Sequence, residues 1–144
     1  MGNRAVITNK EKQIGVYLHW NGGRDSVEAF LKYCELRQFR SPDTQNYGWA
    51  RLCQVIANFM GPDGLSVGID KMENLPDADF LDNGIYIIEG WQIVGREGYD
   101  CEEQQVHSLP EMLVAIDECQ PMVEQMFAKM DPQQTQEFLD TALH

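Results

Sequence analysis

A glycine turn between an alternating strand and an amphipathic helix is the place in this sequence best suited to bind an anion. The turn reads Asn21-Gly22-Gly23-Arg24. A helix that starts directly after it presents unpaired backbone N–H groups and a partial positive charge. The guanidinium of Arg24 can hold a phosphate or a carboxylate through two parallel hydrogen bonds. The turn therefore predicts an anion site, although Gly-Gly also turns a strand into a helix without steric strain.

Aromatic rings near this turn would supply a stacking surface for a nucleobase. Residues 14–20 alternate, which places Tyr17 and His19 on the face opposite a row of apolar side chains that ends at Trp20. His19 and Tyr47 are the rings we expect to be exposed, whereas core packing is the alternative role of every ring. The predicted ligand site consists of Tyr17, His19, Asn21, Gly22, Gly23, Arg24, Tyr47 and Arg51. Neither a G-x-G-x-x-G nor a P-loop fingerprint accompanies it.

The sequence contains no G-x-S-x-G, H-E-x-x-H, S-x-x-K or catalytic cysteine signature. A small hydrolase that uses His19 stays an alternative, because the fold could pair this ring with Asp25 for acid–base chemistry. The acidic segment with Asp77, Asp79 and Asp82 lacks the spacing of an EF-hand. The four cysteines are scattered and offer no closely spaced zinc ligands. We therefore expect a binding protein with no catalytic residues, no cofactor and no metal.

Charge is divided unevenly along the chain, whose formal net charge is −12. Residues 1–60 contain eight Lys and Arg against five Asp and Glu, while residues 61–144 contain three against eighteen. The acidic part should repel nucleic acid and suit a basic protein surface, although excess acid also keeps a small protein in solution. No apolar run approaches the roughly 20 residues that span a membrane, and no secretory signal opens the chain. These features predict a cytoplasmic protein without membrane contact.

The strands and helices that the sequence predicts around the site indicate an α+β fold. Two hairpins flank two amphipathic helices, the first starting near a capping box of Asp25 and Glu28 and the second over about 45–59. The last third predicts helices that start at Ser108, at Met122 and at Asp131. The order ββααβββα(α)(α) predicts a single domain over 1–144, with a mainly antiparallel sheet of about five strands and helices packed on it.

Methionines recur in the acidic last third, which predicts either core packing or an adaptable interface. They are Met112, Met122, Met126 and Met130. A homo-oligomer formed through these helices or through a sheet edge stays open.

The segment Gly15-Val16-Tyr17-Leu18-His19-Trp20-Asn21-Gly22-Gly23 resembles the Y-x-H-W-x-G opening of small uncharacterised proteins from phages and mobile elements of Gram-positive bacteria. The similarity extends to Asn46-Tyr47-Gly48-Trp49-Ala50-Arg51-Leu52 and stops before the acidic last third. Similar proteins often have Tyr-Pro after Asn-Gly, where this chain has Gly23-Arg24.

What the resemblance implies is a context, because small phage accessory proteins often act against host defence. It favours an anti-defence protein in the bacterial host cytoplasm that sequesters a phosphate-bearing nucleotide immune signal. The alternative is an acidic, anti-CRISPR-like inhibitor whose partner is a basic, nucleic-acid-binding host-defence protein. In either case the protein itself binds no nucleic acid.

Overall fold

The computed structural model describes residues 2–44, 46–61, 66–103 and 105–144. Within these ranges the chain forms five strands and four α-helices in the order ββααβββαα, which confirms the α+β class. The strands are β1 (Ala5–Asn9), β2 (Ile14–Leu18), β3 (Val67–Lys71), β4 (Ile85–Glu89) and β5 (Gln92–Glu97). The helices are α1 (Arg24–Leu36), α2 (Asn46–Met60), α3 (Leu109–Glu118) and α4 (Pro132–Ala142). None of these helices is long and apolar enough to cross a membrane.

The five strands form one sheet in the order β3-β2-β1-β4-β5. The pairs β1–β2, β2–β3 and β4–β5 are antiparallel, whereas β1 and β4 run parallel. A mainly antiparallel sheet is therefore confirmed, and the parallel pair is the departure from it. Residue patterns fix the pairing inside each hairpin, but the direction in which two hairpins join depends on the helices between them.

Alternating side chains divide the sheet between two apolar clusters. The larger cluster lies under α1, α2 and α3, and its sheet members are Ala5, Ile7, Val16, Leu18, Tyr86 and Ile88. The smaller cluster lies on the opposite face under segment 72–81, with Val6, Leu81 and Ile85 buried and Tyr17, Met72, Leu75 and Ala78 half-buried. The predicted alternation is confirmed along β2, but Trp20 lies beyond the strand and is 45% exposed.

The predicted helix over 122–130 is wrong, because only one 3₁₀ turn forms there, at Met122–Glu124. The buried carboxylate of Asp117 accepts the backbone N–H groups of Met126 at 2.7 Å and Phe127 at 3.0 Å. The same carboxylate accepts the hydroxyl of Tyr33 at 2.6 Å. Since these amides bond to a carboxylate, they do not bond to the carbonyls four residues back that a helix requires.

The other two predicted starts in this third are confirmed. The Ser108 hydroxyl accepts the N–H of Glu111 at the start of α3, and Asp131 forms a reciprocal capping box with Gln134 at the start of α4. The predicted start of the second helix at Gln45 lies outside the described residues, and α2 is described from Asn46.

Gly22 lies where the chain leaves the sheet for α1, and it has no room for a methyl group. An added Cβ would lie 2.3 Å from the carbonyl oxygen of Asn3 and 2.8 Å from the Cβ of Ala5. We expect Gly22→Ala to lower the free energy of unfolding by about 1–3 kcal/mol in urea denaturation, because overpacking displaces the backbone. The matched change Gly68→Ala, in edge strand β3, meets no atom within 4 Å. It should alter stability by less than about 0.5 kcal/mol, and equal losses for both variants would contradict the close contact.

Candidate functional site

The predicted anion turn is a junction held by backbone hydrogen bonds. Asn21 adopts a left-handed φ of 56°, and its side-chain amide donates to the Ser26 hydroxyl at 3.3 Å. Gly22 is buried, and its N–H donates to the carbonyl of Asn3 at 2.9 Å. The carbonyl of Gly22 accepts the hydroxyl of Tyr86 at 2.7 Å. Burial raises the pKa of Tyr86, so this hydroxyl keeps its proton and ties the turn to β4.

Arg24 is paired within its own helix. The predicted capping box of Asp25 and Glu28 is wrong, because Gly23 is the N-cap residue of α1 and no side chain caps it. Glu28 turns toward Arg24 instead, and its Oε1 lies 2.6 Å from the guanidinium Nε. Opposite charges four residues apart lie side by side on a helix, which favours this pairing. The guanidinium predicted to hold a ligand thus already has an anionic partner.

The carboxylate of Asp25 lies at the positive end of α1, where a helix favours negative charge. Its Oδ1 accepts the N–H of Ser26 at 2.7 Å. Its Oδ2 accepts the N–H groups of Val106 and His107, each at 2.9 Å. An external anion at this turn would therefore lie beside an internal one that already ties the segment before α3 to the helix start.

Tyr17 and His19 lie at the other side of the sheet. The Tyr17 hydroxyl is 3.1 Å from Nδ1 of His19, and the His19 ring packs edge-on against Trp20 with 5.0 Å between the centroids. A depression there is lined by Gly2, Arg4, His19 and Asp82. The His19 ring thus bonds to a phenol, while both oxygens of Asp25 bond to backbone N–H groups. The acid–base pair considered for a hydrolase is not formed.

Tyr47 and Arg51 line a separate depression of about 570 Å³ on the outer side of α2. The other lining residues are Gln38, Phe39, Arg40, Ala50 and Gln54. Tyr47 is 60% exposed, in agreement with its prediction as an exposed ring. Two amide side chains, two guanidinium groups and two rings therefore meet around one depression.

Three arginines pack on the two rings of this region. The guanidinium carbon of Arg40 lies 5.2 Å from the centroid of Tyr47. Those of Arg37 and Arg51 lie 5.6 and 5.7 Å from the centroid of Phe39. Guanidinium groups are attracted to ring faces at such distances, and this attraction holds the positive charges close together. We name these five side chains, Arg37, Phe39, Arg40, Tyr47 and Arg51, the arginine–aromatic cluster.

The backbone beneath the cluster is held by indole hydrogen bonds and one close approach. Trp91 donates its Nε1–H to the carbonyl of Phe39 at 3.2 Å, and Trp49 donates to the carbonyl of Pro42 at 3.1 Å. An added Cβ at Gly48 would lie 2.5 Å from the carbonyl oxygen of Arg40, so α2 packs directly on this segment. The cluster is therefore built on a fixed support.

The eight predicted site residues occupy three places rather than one. Asn21 to Arg24 lie at the start of α1, Tyr17 and His19 lie across the sheet, and Tyr47 and Arg51 lie beside the segment that follows the end of α1. A helix of 13 residues is about 20 Å long, which separates the first place from the third. Sequence reasoning placed Tyr47 and Arg51, four residues apart, in the site, but it missed Arg37, Phe39 and Arg40. These three lie in the segment after α1, and the sequence carries no signal that this segment packs beside α2.

The tether from Asp25 can be measured by amide exchange. We expect Asp25→Ala to accelerate hydrogen exchange at Val106 and His107 by about 10- to 100-fold, because hydrogen bonds to a charged group contribute about 1.5–3 kcal/mol. Glu28→Ala, which removes a neighbouring carboxylate of the same helix, should leave this exchange unchanged. Unaltered protection in Asp25→Ala would show that other contacts hold the segment.

Because of the hydrogen bonds that Asp82 accepts, we expect the free energy of unfolding to depend on pH. Hydrogen bonds from the backbone N–H of Arg4 at 2.9 Å and from its guanidinium at 3.2 Å lower the pKa of this carboxyl. A lowered folded pKa contributes stability that is complete above the unfolded pKa of about 3.9 and is lost as the pH falls through the folded pKa. Asp82→Asn should therefore cost less than about 1 kcal/mol at neutral pH, since the pair is exposed, and nothing in strong acid.

The matched control for this titration is Asp79→Asn. Asp79 is exposed in the same segment and forms no ion pair within the part of the chain that the structure describes. Chemical denaturation from neutral to acid pH should give the same curve for Asp79→Asn as for the unmodified protein. A constant difference between Asp82→Asn and the unmodified protein at all pH values would refute the assignment.

Comparison with known proteins returned no relative for this chain. No model of a protein family matches it, and neither a curated protein nor a solved structure does.

Proposed function

We propose that the protein binds a phosphate-bearing nucleotide at the arginine–aromatic cluster and sequesters it. In this proposal it is a phage or mobile-element protein that acts against host defence in the bacterial cytoplasm, and the nucleotide is an immune signal. The observation that carries the proposal is the gathering of three guanidinium groups on two rings, one of them exposed, in a chain with a net charge of −12.

The side chains of the cluster match the two chemical parts of a nucleotide. Guanidinium groups form paired hydrogen bonds with phosphate oxygens in a way that a lysine ammonium does not. The exposed ring of Tyr47 offers a face on which any base can stack. The amide groups of Gln38 and Gln54 also line the depression. The Oε1 of Gln54 accepts from Nη1 of Arg51 at 2.7 Å, and the amide N–H groups of both glutamines can donate to a base edge. Its volume of about 570 Å³ lies in the range of small-molecule sites.

Local charge supports an anionic ligand here. Residues 37–51 contain three arginines and a single acid, Asp43. The Oδ2 of Asp43 accepts the N–H of Gly90 at 2.7 Å and so is directed to the turn between β4 and β5. A positive region on a strongly acidic protein draws small anions to one place and leaves the rest of the surface repulsive.

The chemistry of the lining favours holding a ligand over converting it. Among the described residues that line the depression there is no carboxylate, imidazole or thiol. Nucleotide hydrolysis generally needs such a group, or a metal ion, to activate water. Sequestration needs only groups that bind the ligand, and the described lining residues supply such groups.

Binding can be tested by calorimetry with linear and cyclic nucleotides that carry one to three phosphates. We expect Arg51→Ala to weaken binding by about 10- to 100-fold, since hydrogen bonds to charged groups contribute about 1.5–3 kcal/mol. Tyr47→Ala should weaken it by about 5- to 100-fold through lost stacking, and Tyr47→Phe, which keeps the ring, should be nearly neutral. Melting temperatures should stay close to that of the unmodified protein, because both side chains are exposed.

Arg24→Ala is the variant that tests which end of α1 binds the ligand. If the ligand binds at the cluster, this change leaves the affinity unaltered, since Arg24 lies about one helix length away. If Arg24→Ala abolishes binding while Arg51→Ala does not, the glycine turn is the site. Native mass spectrometry of the protein purified from bacteria, before and after heat release, identifies a nucleotide carried by the chain. A bare mass together with no binding of any nucleotide would reject the proposed function.

A further inference from the structure

A groove of about 640 Å³ separates α3 and α4 at the acidic end of the chain. Its apolar lining comes from both helices and from the segment that joins them, with Val114, Phe127, Ala128, Met130 and Leu139 as members. Phe127 and Leu139 are 8% and 3% exposed and form the floor, whereas Ala128 is exposed at the rim. The groove is therefore an apolar trough with an open side.

Acidic side chains border this trough. Residues 109–144 contain seven Asp and Glu and one cation, Lys129, apart from the final histidine. Glu111 and Glu118 are exposed lining residues of the groove, and neither forms an ion pair within the described ranges of the chain. Asp117 also lines the groove, but its oxygens are occupied by Tyr33 and by backbone N–H groups.

The spacing of residues along α3 determines which partner the acidic border of the groove can bind. Glu111, Val114 and Glu118 are at positions i, i+3 and i+7, so they share one face of the helix with the apolar residue between the two acids. The two carboxylates are about 10 Å apart along the helix axis. A second helix lying in the trough would meet this pattern with apolar side chains inward and cations at its edge.

We propose that the groove between α3 and α4 docks a cationic amphipathic helix of a protein partner. Charge complementarity selects this occupant, because the two carboxylates attract lysine or arginine and repel acidic peptides and anionic membrane surfaces. The groove is walled by helices, and the sheet edges at β3 and β5 do not line it, which favours a helix over an added strand. This surface is independent of the nucleotide site, which is lined by other residues.

The test uses the full chain and a fluorescent peptide of about 18 lysine, leucine and alanine residues, long enough to form a helix. Its leucines recur at three- and four-residue intervals, and a peptide of the same composition with scattered leucines is the control. We expect the patterned peptide to bind and the scattered one to bind at least tenfold more weakly. Binding should weaken as salt screens the charges. Backbone amide shifts should change along α3, the segment 125–130 and α4.

Two kinds of variant distinguish the contribution of the acidic side chains to peptide binding from that of the shape of the groove. Glu111→Gln combined with Glu118→Gln should weaken binding about tenfold at low salt, as expected for the loss of two charge pairs at an interface. The matched control, Glu73→Gln with Asp79→Asn, removes two exposed acids on the other face of the sheet and should have no effect. Ala128→Trp should fill the trough and abolish binding with the charges intact, while the fold tolerates it because Ala128 is exposed.

Several outcomes would overturn the proposal. Equal binding by the double Gln variant and its control would show that the border acids do not recognise the peptide. Unchanged binding by Ala128→Trp, or shift changes elsewhere, would show that the groove is not the site. Sedimentation that reports a dimer dispersed by Ala128→Trp would make a second copy of the chain the occupant. Arg51→Ala should bind the peptide normally, which keeps this result separate from the nucleotide test.

Discussion

Helix α1 is held at both ends by hydrogen bonds from the β4–β5 hairpin, and the arrangement of the helix layer depends on this. At its start the hydroxyl of Tyr86 bonds to the carbonyl of Gly22, and beyond its end the indole of Trp91 bonds to the carbonyl of Phe39. Both α2 and α3 pack against α1. The glycine turn and the arginine–aromatic cluster therefore lie about one helix length apart.

Three aspartates, Asp25, Asp43 and Asp117, hold loops in place through backbone N–H groups, whereas Asp82 pairs with the cation of Arg4. Asp25 accepts two backbone N–H groups that lie 81 and 82 residues away, and Asp43 accepts one from the β4–β5 turn. Asp117 accepts two that lie only 9 and 10 residues away. Hydrogen bonds to a carboxylate are stronger than those between neutral groups, and those of Asp117 take the place of helical bonds at Met126 and Phe127. Arg37 and Arg51 rest on the ring of Phe39, which attracts their charge, and neither forms an ion pair within the described residues.

Local sequence patterns predicted most of the strands and helices. Hydrogen bonds from side chains to the backbone of other segments decided the features that the local patterns predicted wrongly. Alternation along β2 and the buried stripe of α1 both follow from one face being apolar, and both are present. Asp25 has the spacing of a capping residue, but its carboxylate bonds 81 residues away. The methionine-rich stretch has a helical pattern, but Asp117 takes its amides. The residues of the predicted site lie in three separate places for the same reason. Spacing along the sequence does not show which end of a helix lies next to a residue far away in the chain.

Gln120 links α2 to α3, the helices that contribute to the two surfaces for which ligands are proposed. Its buried side-chain amide donates to the carbonyls of Val55 in α2 and Ile116 in α3, and it accepts from the amide of Asn58. Since α2 carries Tyr47 and Arg51 of the cluster near its start and this contact near its end, the cluster and the groove between α3 and α4 belong to one helix layer. Their charges are opposite, so an anionic ligand and a cationic helix would each be repelled from the other's site. The division of charge along the sequence therefore becomes a division of the surface, which allows both to be occupied at once.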